Sequence, residues 1–245
     1  MGTSKSFSDA RHTMVPNWGD LSSSMTSNCD SSTVAPVKLQ NILNNYVSSL
    51  GGASIAGRGG SKVGGRGGIR TAKKLGAFFG AFTSSGNIRE ALKTIGLTDL
   101  NGKTVAEIID YLIEYCSGTA STIDETAAKE ASRQLLEELI SSANDVDEIE
   151  QLLSDKFNVN TSEDLIIKYF GYYVYEHLSR WFYEHLIKSK SESECNNLFR
   201  QIKEFIFERV LTIHKNNPLQ DIDWSSANAD TVIKNIQQDV LTVFE

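Results

Sequence analysis

Cysteine is scarce: the chain holds three in 245 residues. Cys29, Cys116 and Cys195 are odd in number, far apart in sequence and in no CxxC-type spacing, which excludes a disulfide framework or a thiolate metal site and predicts isolated reduced thiols. Long apolar runs are also missing. None approaches the roughly 20 residues that span a bilayer as a helix, and the first 30 residues lack the apolar stretch of about 7–15 residues that marks a secretory signal. A cytoplasmic protein is the expectation. Strand-like alternation is absent too, so the predicted class is all-α. No Ser-His-Asp or Cys-His arrangement has supportable spacing. The body is therefore expected to be non-enzymatic, without metal or cofactor.

Charge and glycine divide the chain. Residues 1–80 carry 9 basic and 3 acidic residues, while 81–245 carry 15 and 28. Of 18 glycines, nine fall between Gly51 and Gly68. Residues 1–34, rich in Ser, Thr and Asp, offer too little apolar surface to offset the entropy of ordering and are predicted to be a disordered tail. Residues 35–84 are expected to form a short helix over 37–50, a flexible Gly-rich linker bearing Arg58, Lys62, Arg66 and Arg70, and a connecting helix over 69–82. On that helix Gly76 and Gly80 should let a neighbouring helix come close. Residues 85–245 are expected to be a helical domain.

Within it, Thr104, Thr122, Asp145 and Ser191 each stand three residues before a glutamate and open an apolar run at helical spacing. Helices are predicted at 87–95, 104–116, 123–143, 145–156, 162–188, 192–215 and 228–244, with Asn216-Asn217-Pro218 stopping the penultimate one.

The run GRGGSKVGGRGG invites a phosphate-loop reading. It lacks both the Gly-Lys-Ser/Thr ending and a flanking strand, and without interleaved aromatics it predicts no specific nucleic-acid binding. His177 and His185 sit eight apart, rotated about 80° from one another on a helix, so they are expected to be partly buried structural histidines and not a zinc pair. The aromatic cluster from Tyr169 to Tyr183 reads as core. The carboxylates Glu137, Glu138, Asp145, Asp147 and Glu148 read as solvated or capping charges.

The amino terminus is chemically distinct. Removal of Met1 would leave Gly2 with a free amine whose pKa is roughly 7.7–8.0, neutral in an appreciable fraction at cell pH and able to attack an activated acyl group. Having no side chain, Gly2 can enter a narrow enzyme pocket. MGTSKS also satisfies the short N-myristoylation pattern. Further along, Pro16 restricts the backbone just ahead of Trp18, and the tryptophan reads either as a docking point for a partner or as incidental packing on the body.

The opening Met1-Gly2-Thr3-Ser4-Lys5-Ser6, the Pro16-Asn17-Trp18 in a Ser-rich stretch, the basic Gly-rich segment into TAKKLGAFFGAF, and LTDLNGKTVAEIIDYLIEYCSGTASTIDETAAKEA together resemble the QatB family of the bacterial Qat anti-phage defence system. The resemblance spans about residues 1–140, and Pro16-Asn17-Trp18 stands where a double proline before the tryptophan is expected. It implies a non-enzymatic component acting with an ATPase, a QueC-like enzyme (QatC-type) and a TatD-like nuclease of the same operon. By that analogy the QueC-like enzyme couples a deazaguanine-type nucleobase to Gly2, reading Thr3 and Ser4. The rival expectations are an unmodified scaffold and a lipid-anchored protein.

Overall fold

A helix begins with amide groups that lack an intrahelical partner, and the residues placed there decide where it starts. The computed structural model describes residues 18–213, 224 and 226–245. Among them are eleven helices and no strand: α1 Gly19–Asn28, α2 Pro36–Ser49, α3 Ala53–Gly57, α4 Arg66–Ser85, α5 Ile88–Thr94, α6 Val105–Ser117, α7 Ile123–Ile140, α8 Val146–Val159, α9 Ser162–Leu186, α10 Glu192–Val210 and α11 Ala227–Thr242. Every start signal singled out in the sequence is used. Thr104, Thr122, Asp145 and Ser191 accept from the amides of Glu107, Glu125, Glu148 and Glu194 at 3.3, 3.1, 2.9 and 3.3 Å. Such a cap contributes about 1 kcal/mol. Glu107 and Glu194 reciprocate to the cap residue's own amide, whereas Glu125 and Glu148 reach one residue further, to Ser121 and Asn144. Thr161 and Asp164 form one more reciprocal pair, in which aspartate does the work of glutamate.

α9 is the central element, packed against α7, α10, α4 and α11. Its Tyr169, Phe170, Tyr173 and Leu178 are buried in one apolar core that runs from Leu21 to Phe244, and each such side chain stabilises the fold by about 1.5–3 kcal/mol. His177 is wholly buried and His185 is exposed, which corrects the expectation that both are partly buried.

Two segments predicted to be unstructured are ordered where described. In the expected tail, Leu21, Met25 and Cys29 recur every four residues and are all 0% exposed, forming one stripe along α1 and its C-cap. The Ser-rich composition hides that stripe. The stretch after it is tied to α10: Val34 N donates to Gln201 Oε1 at 2.7 Å, and Asn197 Nδ2 donates to the carbonyls of Ser31 and Ser32. The Gly-rich linker is likewise folded. Its glycines serve close approach, since a Cβ on Gly57 would lie 2.6 Å from Gln238 Cα where α3 crosses α11. At Gly76 and Gly80, the group that comes close is the indole of Trp224 and not a neighbouring helix.

The thiols also depart from expectation. Cys29 and Cys195 are not isolated, because their Sγ atoms lie 3.6 Å apart between α1 and α10. Burial, aided by the sulfur contact, pushes Cys29 up to about 12, and burial alone raises Cys116 to about 12. At pH 8 such thiols are about one part in ten thousand thiolate. A disulfide reagent such as DTNB is therefore expected to label less than one equivalent of the native protein within minutes, and all three cysteines after denaturation. Rapid labelling of the native chain would contradict this burial.

Candidate functional site

Trp18 is the first described residue, and its carbonyl opens α1 by accepting from Ser22 N at 2.7 Å. Its half-buried ring lies on the last turns of α9, with centroids 4.9 Å from Trp181 and 5.6 Å, edge-on, from Phe182. Aromatic pairs of this kind add about 0.5–1.5 kcal/mol beyond their buried area. Of the two readings of this ring, packing on the body is the contact the structure shows. Gly2, Thr3, Ser4 and Pro16 lie outside the described residues.

Behind this clamp runs a polar chain through the core. Trp181 Nε1 lies 3.4 Å from His177 Nε2, and Tyr46 Oη lies 2.9 Å from Nδ1. A neutral imidazole carries one N–H: in one tautomer Nδ1 donates to Tyr46 Oη and Nε2 accepts from Trp181, and in the other Nδ1 accepts from Tyr46 and Nε2 donates to the Val63 carbonyl, 3.3 Å away. A Cβ on Gly64 would come within 2.8 Å of this ring, so glycine is what lets the segment lie against it.

One residue on, Gly65 N donates to Tyr173 Oη at 2.7 Å, and Tyr173 donates in turn to Asp124 Oδ1 at 2.5 Å. Asp124, in the first turn of α7, also accepts from Gly65 N at 3.1 Å and from Gly67 N at 2.8 Å. A carboxylate of the chain itself therefore occupies the amides at the start of α4. That is the physical reason the glycine run is not a phosphate cradle, in agreement with its missing sequence context. The roles of Asp124, Tyr173 and Tyr46 were not evident from sequence; the acidic residue in the helix start Ile123-Asp124-Glu125 was the one available signal.

Burial lowers the His177 pKa, against the opposing pull of Asp124. The folded state then binds fewer protons than the unfolded state below about pH 6.5, so stability is full above that pH and lost as the pH falls. Denaturant midpoints of the wild type are expected to drop between pH 7.5 and 5.5 by more than those of His177→Gln. Equal slopes would remove His177 as the cause.

The candidate site is thus a scaffold that joins Trp18 to the basic glycine segment through α9, with Asp124 as the hub. A family model described as "Qat anti-phage system associated protein QatB" matches residues 57–244. The chain belongs to the QatB family. Membership places it in Qat anti-phage defence. The match begins at the last residue of α3 and extends through α11, so the C-terminal half belongs to the family pattern as fully as the glycine segment and its Asp124 hub, which corrects the expectation of a likeness confined to about residues 1–140. α1, α2 and Trp18 precede the matched range. No curated protein and no solved structure gives a significant match. Among the described residues of this QatB-family chain, no helix is long and apolar enough to cross a membrane.

Proposed function

We propose that this QatB-family chain works in the cytoplasm as a non-enzymatic protein substrate, presenting Gly2 as the acceptor for deazaguanine-type conjugation by the QueC-like enzyme of the same operon. Thr3 and Ser4 are the residues that enzyme reads. The ATPase and the TatD-like nuclease are the other partners. ATP converts the deazaguanine carboxylate into an acyl adenylate with release of pyrophosphate. The neutral Gly2 amine attacks the acyl carbon, the C–N bond forms as AMP leaves, and the amine proton passes to solvent.

The observation that carries this reading is the Trp18 clamp. It fixes where the segment bearing Gly2 joins the body, and sixteen residues span at most about 55 Å, enough to reach a partner's active site while the helical body remains a docking surface.

Intact-protein mass spectrometry after co-expression with the operon tests it. The expected product lacks Met1 and carries one deazaguanine acyl group, and it is lost in Gly2→Ala together with phage protection. An unmodified Gly2 in a protective system rejects the proposal. Protection that survives Gly2→Ala but requires the helical body would point to a scaffold, and a myristoyl mass with membrane fractionation to a lipid anchor.

A further inference from the structure

The chain carries net negative charge, with 31 acidic against 24 basic residues, and yet one cleft gathers cations. It is lined by Arg58, Arg66, Arg70, Lys73, Lys74 and Lys234, is open to solvent, and has a volume of about 550 Å³. Among the described residues the one carboxylate in its wall, Asp230, is already paired with Lys234 at 2.5 Å. Arg66, Arg70 and Lys73 follow one another along a single face of α4 at the i, i+4, i+7 spacing. Like charges so placed cost a few tenths of a kcal/mol per pair in an isolated helix. A solvated face that served only solubility would intersperse signs.

Internal contacts use part of this charge. Arg70 pairs with Glu125 at 3.0 Å, Arg66 Nε donates to the Gly59 carbonyl at 2.8 Å, and Lys74 Nζ donates to the Tyr115 carbonyl at 2.6 Å. Among the described residues, neither Arg58 nor Lys73 has a carboxylate within ion-pair distance. Two aromatic rings complete the wall. Lys74 Nζ stands 5.1 Å from the Tyr115 ring centroid. The Trp224 indole rests on the shelf left by Gly76 and Gly80, where a Cβ would fall 2.2–2.3 Å from its atoms.

We infer that this cleft binds a nucleoside polyphosphate, with the phosphates on the α4 cations and Arg58, and the base against Tyr115 and Trp224. The volume is that of a small-molecule site. Arginine forks match phosphate oxygens in bidentate fashion. Aromatic faces next to cations stack a base, worth about 1–3 kcal/mol by alanine substitution. The amides of Gly65 and Gly67, held by Asp124, take no part, so recognition is by side chains. The inference is independent of any chemistry at Gly2.

Calorimetric titration of the full chain with ATP, GTP, inorganic tripolyphosphate and a single-stranded oligothymidylate tests it. The expected result is nucleotide binding at least tenfold tighter than tripolyphosphate, weakening between 50 and 200 mM salt. The double variant Arg58→Ala/Lys73→Ala, which breaks no ion pair among the described residues, should lose at least tenfold in affinity at an unchanged melting temperature. Tyr115→Leu should close the gap between nucleotide and tripolyphosphate. The inference is overturned by absence of nucleotide binding at 1 mM, by equal affinity for tripolyphosphate, by tighter binding of the oligonucleotide, or by an unaffected double variant.

Discussion

Asp124→Ala is expected to lower the unfolding free energy by about 3 kcal/mol or more. Its two oxygens accept from Gly65 N, Gly67 N and the Tyr173 hydroxyl. Removing them leaves Gly67 N and the Tyr173 hydroxyl in a part-buried site without an acceptor, at about 1–3 kcal/mol for each group that water does not reach, while Gly65 N keeps the Tyr173 oxygen. The carboxylate also faces the positive end of the α4 dipole, a favourable placement of a few tenths to about 1 kcal/mol. Asp124→Asn keeps one accepting oxygen and should recover part of the loss. Urea unfolding followed by circular dichroism reads both variants. A loss below about 1 kcal/mol for Asp124→Ala would mean that the glycine segment is held by something else. Because this carboxylate positions α4, its loss should also disturb the cationic row carried by that helix.

Gly57→Ala should destabilise by about 2–3 kcal/mol although it adds a single methyl group. The new carbon would lie 2.6 Å from both Cα and Cβ of Gln238 and 2.9 Å from its nitrogen. Two of those atoms are helix backbone and the Cβ is fixed directly to it, so none can swing aside, and α3 and α11 must separate and give up packing. Gly102→Ala is the control. Its φ is +69°, and nothing lies within 4 Å of an added Cβ, so only the left-handed strain of about 1–2 kcal/mol applies. Thermal melts of the two variants should differ by several degrees, with Gly57→Ala the lower. Equal melts would show that the α3–α11 contact yields easily.

The sequence disclosed what local chemistry controls. Capping residues and three-four periodicity located α5 to α11 within a few residues, because a side chain three positions from its amide partner needs no knowledge of the rest of the fold. The failures share a different cause. The stripe Leu21, Met25, Cys29 is a helix face only because α2 and α9 lie against α1. Averaged over the surrounding serines, it falls below the apolar content that predicts order. The glycines between Gly51 and Gly68 look like flexibility when their partners are unknown. Those partners, Gln238, His177, Tyr173 and Asp124, come from other helices. Composition reports that a segment has no side chains, not that another backbone needs the room.

The candidate site divides along the same line. Trp18 was legible as an anchor by residue type, and the glycine run as a phosphate loop in appearance alone. Neither the surface that receives Trp18 nor the carboxylate that claims the glycine amides could be read locally, because each contact joins residues more than fifty positions apart. The same separation hid the Cys29–Cys195 contact, which brings together residues 166 apart. In contrast, the charge asymmetry that sequence arithmetic exposed has a spatial counterpart in the cationic face of α4.

The seating of α3 on α11 also sets an order of events at the ribosome. Ala56 and Gln237, which meet through a hydrogen bond, are 181 positions apart. At about 5–20 residues added per second, roughly 10–35 s pass between the making of one and of the other. Asp124 emerges far earlier, so the start of α4 can be fastened while α3 still awaits its cover. Nascent chains stalled before α11 should accordingly show a protease-sensitive cut near Gly57 that vanishes once translation has delivered the late helix.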